Sequence, residues 1–376
     1  MSELYVLNNS QWAVHHLRAV QLFAMKPILK KTFITVIFFY LLAMSNTILA
    51  AENSAVALMY HHVGESSHPS TNIRLEQFEQ HLLFLEQNGF QVLPLDSVLK
   101  AIQNNKPLPK KSVVITMDDA YRSVYSEAYP RLKQRDWPFT VFVSSGYIDK
   151  GYSNYMSWQQ MREMELHGAS FGNHSRSHDH LIRRLENETE TAWQQRISDD
   201  ITYAQQRLRN ELKNPIDIIA YPYGEYNLTI ANITQQLGLI GMGQHSGAIG
   251  PTSDFRFLPR FPMNENFGEM DGFKNKVMSL AMPLEKTPQI DPVISEARPT
   301  LNVKLKQPLT LLTCYASGQG KIQVQWLDEK TFTVQAPSDL PAGRSRYNCT
   351  APATKSERFY WFSQLWIRPG GIEVKD

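Results

Sequence analysis

From about residue 55 to 265 the chain alternates short apolar runs with longer stretches whose apolar residues recur at helical spacing. Ala55–Tyr60, Val113–Met117, Phe139–Val143, Ala169–Phe171, Ile216–Ala220 and Leu239–Met242 read as strands. Between them, Leu75, Phe78, Leu82 and Leu85 recur at helical spacing, with Gly89 as a stop. The stretch 124–135 reads as a helix that carries Pro130, and 158–166 as another. Trp193, Ile197, Ile201, Ala204, Leu208 and Leu212 mark one face of a long helix, and a further helix starts at Asn227. Such alternation predicts an α/β fold with a parallel sheet. The number of strands fits a barrel better than an open sheet. In such barrels the C-terminal strand ends share one face. His61, His62, Asp118, Asp119, His174, Tyr223 and His245 each follow an apolar strand, so residues nearly 200 positions apart are expected to converge.

After Pro292 the helical period disappears. Leu301, Val303 and Leu305 alternate, as do Ile322, Val324 and Trp326, and Phe359-Tyr360-Trp361-Phe362 is a dense aromatic run. Residues 296–376 are therefore expected to form a small all-β, sandwich-like domain. It follows an α/β domain over 51–286 and a linker over 287–295. Both cysteines of the chain, Cys314 and Cys349, lie in this region. They form no metal-binding or redox pair by spacing. A disulfide between them would close a loop of about 35 residues, worth roughly 4 kcal/mol by chain entropy, and would suit an exported protein.

Export is also the reading of residues 25–50. Met25-Lys26-Pro27-Ile28-Leu29-Lys30-Lys31 is a basic lead, Phe33–Met44 is largely apolar, and Ser45–Ala51 is a short-residue, polar stretch. This is the layout of a secretory signal peptide. The apolar run is shorter than the roughly 20 residues of a comfortable membrane span; an uncleaved anchor is the alternative. Residues 1–24 fit neither signal nor fold, and translation is expected to start at Met25. After cleavage the protein would be periplasmic, cell-surface or secreted, which is compatible with envelope association. The net charge of +2 gives no electrostatic reason for a nucleic-acid partner. Oligomeric state has no signature in the sequence.

Asp118-Asp119 and the pair His174/His178 are the residue types of a divalent-metal hydrolytic site. Such a site takes three protein ligands and leaves a position for water. If the second segment is a helical turn, His174 and His178 share one face. One Asp completes the set, and the other is left to accept a proton from the attacking water. Each signal alone is weak, since histidine pairs occur by chance and adjacent acids often solvate turns. A 2-His-1-carboxylate iron oxygenase has a similar ligand set, but no need for a second adjacent Asp.

Ile115-Thr116-Met117-Asp118-Asp119-Ala120 resembles the TFDDG motif of the polysaccharide deacetylase family, also called NodB-homology or carbohydrate esterase family 4. His174-Ser175-Arg176-Ser177-His178 is similar to that family's H-[ST]-x-x-H motif, and Ala220-Tyr221-Pro222-Tyr223-Gly224 to its third motif. The resemblance covers roughly 55–265. Its MYHHV start and YPYGEY segment look closest to the secreted poly-N-acetylglucosamine deacetylases. It implies a distorted (β/α) barrel that removes N-acetyl groups from an N-acetylated polysaccharide, poly-N-acetylglucosamine- or chitin-like. It implies that Asp119, His174 and His178 hold zinc or another divalent metal. It implies that Asp118 is the general base and that the backbone N–H of Tyr223 helps hold the oxyanion.

The departures from the family pattern are specific. Met117 replaces Phe. Ala120 replaces Gly, so that if the position needs a positive φ the loop must differ. The third motif lacks an arginine that many members carry; Arg260 is a candidate to orient Asp118, with a structural salt bridge as the alternative. The late L-x-H motif that supplies a general acid is missing. His245 and His62 are candidates for that role, and either could instead be a hydrogen-bonded polar residue lining the cleft. His180 is expected behind the site or in solvent. Trp158 suits either a sugar platform or the core. Asn173-His174-Ser175 fits a glycosylation acceptor, which conflicts with a metal site at His174. These gaps motivate a second reading, a carbohydrate-binding barrel without turnover.

Overall fold

The structure is a computed structural model that describes residues 53–354 and 356–370. The extension and signal peptide expected before residue 51 lie outside the described residues. In chain order the first part runs β1 (Ala55–Tyr60), β2 (His62–Val63), β3 (Asn72–Ile73), α1 (Leu75–Gln87), β4 (Gln91–Val92), α2 (Leu95–Gln103), β5 (Ser112–Met117), α3 (Tyr129–Gln134) and β6 (Phe139–Val143). It continues with α4 (Ser145–Asp149), α5 (Trp158–Glu165), β7 (Ala169–Asn173), α6 (Glu190–Glu211), β8 (Ile218–Ala220), α7 (Leu228–Gln236) and β9 (Ile240–Met242). Then come β10 (Ala248–Ile249), β11 (Phe261–Pro262) and α8 (Met270–Val277).

Local chemistry explains most of these limits. Ser157 and Gln160 cap the start of α5 reciprocally, and Asn227 accepts from Ile230 N–H at the start of α7. α1 ends at Asn88, followed by Gly89 at φ 69°. The expected helix over 124–135 is not continuous. Val124–Ala128 is a π-turn in which Tyr129 N–H donates to the Val124 carbonyl, and α3 follows. Pro130 has no N–H to give an i→i−4 bond, so the chain takes one wider turn before it.

The strands stand in the order β10-β1-β5-β6-β7-β8-β9. All neighbours are parallel except β10, which runs antiparallel to β1. Every residue of β1, β5 and β6 is buried, as expected of parallel strands covered on both faces. One face packs Val56, Leu58 and Tyr60 against Phe78, Leu82 and Leu85 of α1. The segment around Arg260 draws the two ends of the sheet together. Leu258 bridges Met242 of β9, and three residues on, β11 pairs with β1. This closure makes the sheet a distorted barrel.

β12 (Ser279–Ala281) opens the strand-rich remainder, followed by β13 (Thr300–Lys304), β14 (Thr313–Ala316), β15 (Gly320–Ile322), β16 (Val324–Trp326), β17 (Thr331–Gln335), β18 (Gly343–Pro352) and β19 (Phe359–Arg368). They form two sheets, β12-β19-β18-β14-β15 and β13-β17-β16. Leu301, Val303, Phe332, Val334 and Trp366 lie in the core between them. Cys314 and Cys349 sit opposite each other on β14 and β18 and are disulfide-bonded. The sheets also pack on the barrel: Leu365 and Ile367 of β19 join the cluster of Tyr221, Tyr226 and Phe257. Among the described residues no helix is long and apolar enough to cross a membrane.

Candidate metal centre

Strand register brings the chemistry to one level. Tyr60 lies opposite Met117, and Val143 opposite Asn173. His61, Asp118 and His174 therefore leave neighbouring strands at the same rim of the barrel. Asp119 Oδ1 lies 3.2 Å from His174 Nε2 and 3.0 Å from His178 Nε2. The oxygen is buried and accepts no hydrogen bond. His174 Nδ1 lies 2.7 Å from the Ala220 carbonyl. A carbonyl can only accept, so Nδ1 carries a proton, and this bond orients the ring with Nε2 facing Asp119. The Asp119 oxygen and one ring nitrogen from each histidine are ligand-type atoms within 4.8 Å of one another. The donor set thus fits a divalent ion.

His174–His178 does not sit on a helical turn. Asp200 accepts from the N–H groups of Arg176 and Ser177, Asn173 Oδ1 from Ser175 N–H, and Ser175 Oγ from His178 N–H. These side chains capture the backbone donors that a helix would use, and Ser175 and His178 take left-handed φ values of 62° and 56°. The two imidazoles meet across this turn with their planes tilted by 59°. Asn173 is fully buried and donates to the Ile201 carbonyl and Gln205, which leaves no room for a glycan.

Asp118 is also fully buried. Arg260 grips it with two hydrogen bonds, Nη1 to Oδ1 at 2.6 Å and Nη2 to Oδ2 at 2.8 Å. The same guanidinium donates to Thr116 Oγ1 and the Gly243 carbonyl. Burial alone would push the Asp118 carboxyl up. The Arg260 charge, with His174 and His61, outweighs it and leaves a net lowering. For Asp119 burial likewise raises, but His178 and His174 hold the carboxyl well below the usual range. His178 is raised on balance: burial lowers it, and the Asp119 charge outweighs that.

Asp119 and Ala120 both have positive φ, 70° and 62°. The position therefore does take the left-handed region, in which alanine is less at ease than glycine. Tyr223 is left-handed too, at φ 58° within the turn Pro222–Gly224.

The other candidates separate. His62 has its ring between Tyr121 and His68, at centroid distances of 3.5 and 4.7 Å, with Nδ1 3.0 Å from Glu65 Oε1. His62, Glu65 and His68 are a second group with ligand-type atoms within 4.8 Å of one another. The two imidazoles are stacked, however, only 18° from parallel, so both cannot aim in-plane at one ion. His245 is buried among Ser246, Trp361 and Ser363, and its charged neighbours are Arg346 and Arg260. Burial, then those two cations, push it down to about 3. Trp158 donates to Asp149 and packs against the core, the structural alternative. His180 pairs with Glu225 at 2.7 Å.

His61 had no assigned role in the sequence beyond its place after a strand. Its Nε2 lies 3.9 Å from Asp118 Oδ2. The doublet His61-His62 at the end of β1 was the signal; choosing between the two needed the alternation of side-chain direction along β1, which puts one of them inward.

A family model described as "Polysaccharide deacetylase" matches residues 105–241, the segment that carries Asp118, Asp119, His174, His178 and Tyr223. Over this segment the chain is similar to the polysaccharide deacetylase family. It is 32% identical over 195 residues to the putative polysaccharide deacetylase YxkH of Bacillus subtilis, a match that covers 51% of this chain and 64% of the relative. It is 27% identical over 249 residues to a poly-beta-1,6-N-acetyl-D-glucosamine N-deacetylase of Staphylococcus aureus, covering 60% of this chain and 86% of that protein. Among solved structures it is similar to the Streptococcus pyogenes deacetylase PplD in complex with acetate. That match has a TM-score of 0.54 and 26% identity, over 60% of this chain and 98% of that one. IcaB from Ammonifex degensii gives a TM-score of 0.52 and 25% identity, over 59% and 97%.

Proposed function

We propose that this deacetylase is an exported, metal-dependent enzyme that hydrolyses the N-acetyl groups of an N-acetylhexosamine polymer, poly-N-acetylglucosamine before chitin. One observation carries the reading: an ionised carboxylate, Asp118, is locked by Arg260 beside a separate Asp119–His174–His178 donor set that fits a divalent cation. A binding-only barrel would have no use for the first carboxylate. The staphylococcal relative supports the choice of polymer.

Asp119, His174 and His178 would hold the ion, and a two-nitrogen, one-oxygen set suits zinc. Bound there, the cation supplies Lewis acidity toward the acetyl carbonyl. Asp118 takes a proton from the water as its oxygen attacks the carbonyl carbon. The Tyr223 N–H donates to the oxyanion that forms. The C–N bond then breaks, acetate leaves, and the amine needs a proton. His61 Nε2, 3.9 Å from Asp118 Oδ2, is too far for a direct transfer but within reach through one water, so His61 is favoured over His62 and His245 as the group facing the leaving nitrogen. Arg260 holds both oxygens of Asp118 in register and keeps the carboxylate ionised at neutral pH. The disulfide supports the extracytoplasmic assignment, since such bonds persist in oxidising compartments.

The test is acetate release from β-1,6- and β-1,4-linked N-acetylglucosamine oligomers, with chelator and metal add-back. Activity should vanish with chelator and return with zinc. Asp118→Asn should lower kcat by at least about a hundredfold while metal content stays at one ion per chain. Stoichiometric metal with no acetate from any oligomer would refute the enzyme reading.

A further inference from the structure

We infer that Arg344, on β18 of the C-terminal sheets, is a positioning residue for the oxyanion peptide at Tyr223; the inference rests on the deacetylase reading above. Tyr223 and Gly224 occupy two successive left-handed positions, at φ 58° and 68°. A non-glycine residue is uncommon there and stays only when its surroundings hold it. Within the barrel the turn is closed by Gly224 N–H to the Tyr221 carbonyl and Glu225 N–H to the Pro222 carbonyl. Because each peptide unit is planar, the first bond also orients the Tyr223 carbonyl and the second the Tyr223 N–H, but both lie inside the turn and do not tie it to the C-terminal sheets.

That carbonyl accepts from Arg344 Nη1. Arg344 Nε lies 3.9 Å from Glu225 Oε1, and the other oxygen of Glu225 is 2.7 Å from His180 Nδ1. His180 in turn stacks flat on the Tyr223 ring, with centroids 3.9 Å apart and planes 5° apart. The tyrosine is thus held by its carbonyl from one side and by its ring from the other, and Glu225 ties the two holds together. A tilt of the turn as a whole would swing the Tyr223 N–H, and these holds from outside the turn oppose it. Two residues on along the same face of β18, Arg346 donates to the Gln244 carbonyl and Ser246 Oγ. Gln244 packs directly against Gly224, so tightly that a Cβ at Gly224 would meet it at 2.4 Å. One strand of the C-terminal sheets therefore braces both loops behind the site.

The experiment compares wild type, Arg344→Ala and Arg344→Lys on a β-1,6-linked N-acetylglucosamine oligomer. It records kcat, KM, bound zinc, melting temperature, and amide hydrogen exchange over residues 221–226. Loss of a whole oxyanion donor costs about 10²–10³ in kcat. Loosening one should lower kcat by roughly ten- to a hundredfold, with KM, zinc and melting temperature unchanged. Exchange over 221–226 should quicken in Arg344→Ala alone, and lysine, which can still reach the carbonyl, should restore part of the rate. Wild-type kcat in Arg344→Ala overturns the inference, as does a loss of rate that follows loss of zinc or of melting temperature. If Arg344→Ala does not fold, Glu225→Gln, which frees the guanidinium, replaces it in the same measurements, and the same results support or overturn the inference. If the wild-type chain proves inactive, the deacetylase reading fails. Exchange over 221–226 then decides the bracing by itself, and unchanged exchange in Arg344→Ala refutes it.

Discussion

Leu311 shows how one residue can sit badly without consequence for the site. It is 80% exposed with φ 54°, so it bears left-handed strain and buries nothing in return. Leu311→Gly should raise unfolding free energy by about 1 kcal/mol, measured in urea. His81 is the opposite case, with every group matched. Its Nδ1 accepts from Tyr60 O–H, its Nε2–H donates to the Gly268 carbonyl, and its ring stacks on Phe273. Burial disfavours the charged ring and, opposed by the Gly268 carbonyl, lowers its pKa from 6.5 to about 4. The unfolded chain binds this proton first, so the stabilisation is full above pH 6.5. It declines as pH falls from 6.5 to 4 and is gone below that, a loss of up to about 3 kcal/mol. His81→Gln should flatten that slope in urea titrations between pH 7 and 4; an unchanged slope would show that another group sets it. Neither residue could be singled out from sequence. Asp118, Asp119 and His174 could, because each stands just after a strand and strand ends converge, and His178 by its four-residue spacing from His174. Arg260 carried a weaker signal: nothing local in Phe257–Arg260 states that it meets Asp118, about 140 positions earlier.

At the level of elements, strands and long helices followed from period and capping residues, whereas the turns that shape the site did not. The segment 174–178 matches a helical spacing, yet its backbone donors go to Asp200, Asn173 and Ser175. The decisive partner, Asp200, lies on α6 and more than twenty residues away. Pro130 gave a visible warning, and the π-turn before α3 is what it produced. In the C-terminal sheets, the alternation of Leu301, Val303 and Leu305 marked the inner face of β13 directly. The disulfide there ties β14 to β18 across 35 residues. Replacing both cysteines by serine should lower stability by about 2–4 kcal/mol. Calorimetry with and without reductant would check it, the variant being indifferent to reductant.

On the scale of the whole molecule, residues from 53 onward pack as one compact unit. β12 belongs to the same sheet as β19, and Leu365 and Ile367 cover the barrel cluster around Tyr226 and Phe257. A chain that stops at residue 286 would leave β12 unpaired and that cluster bare. It should aggregate, or unfold without a cooperative transition in calorimetry; a soluble, sharply melting fragment would show that the barrel stands alone. The change of texture after Pro292 announced the second region, but not this shared sheet, because an interface leaves no period in either partner. The seam at Leu258–Pro262 has a further consequence. Arg260, which holds the Asp118 carboxylate ionised, is also a stitch in the cylinder wall, fastened between one strand edge and the other. Slackening that wall would therefore loosen the clamp on Asp118 even where the helices keep their fold.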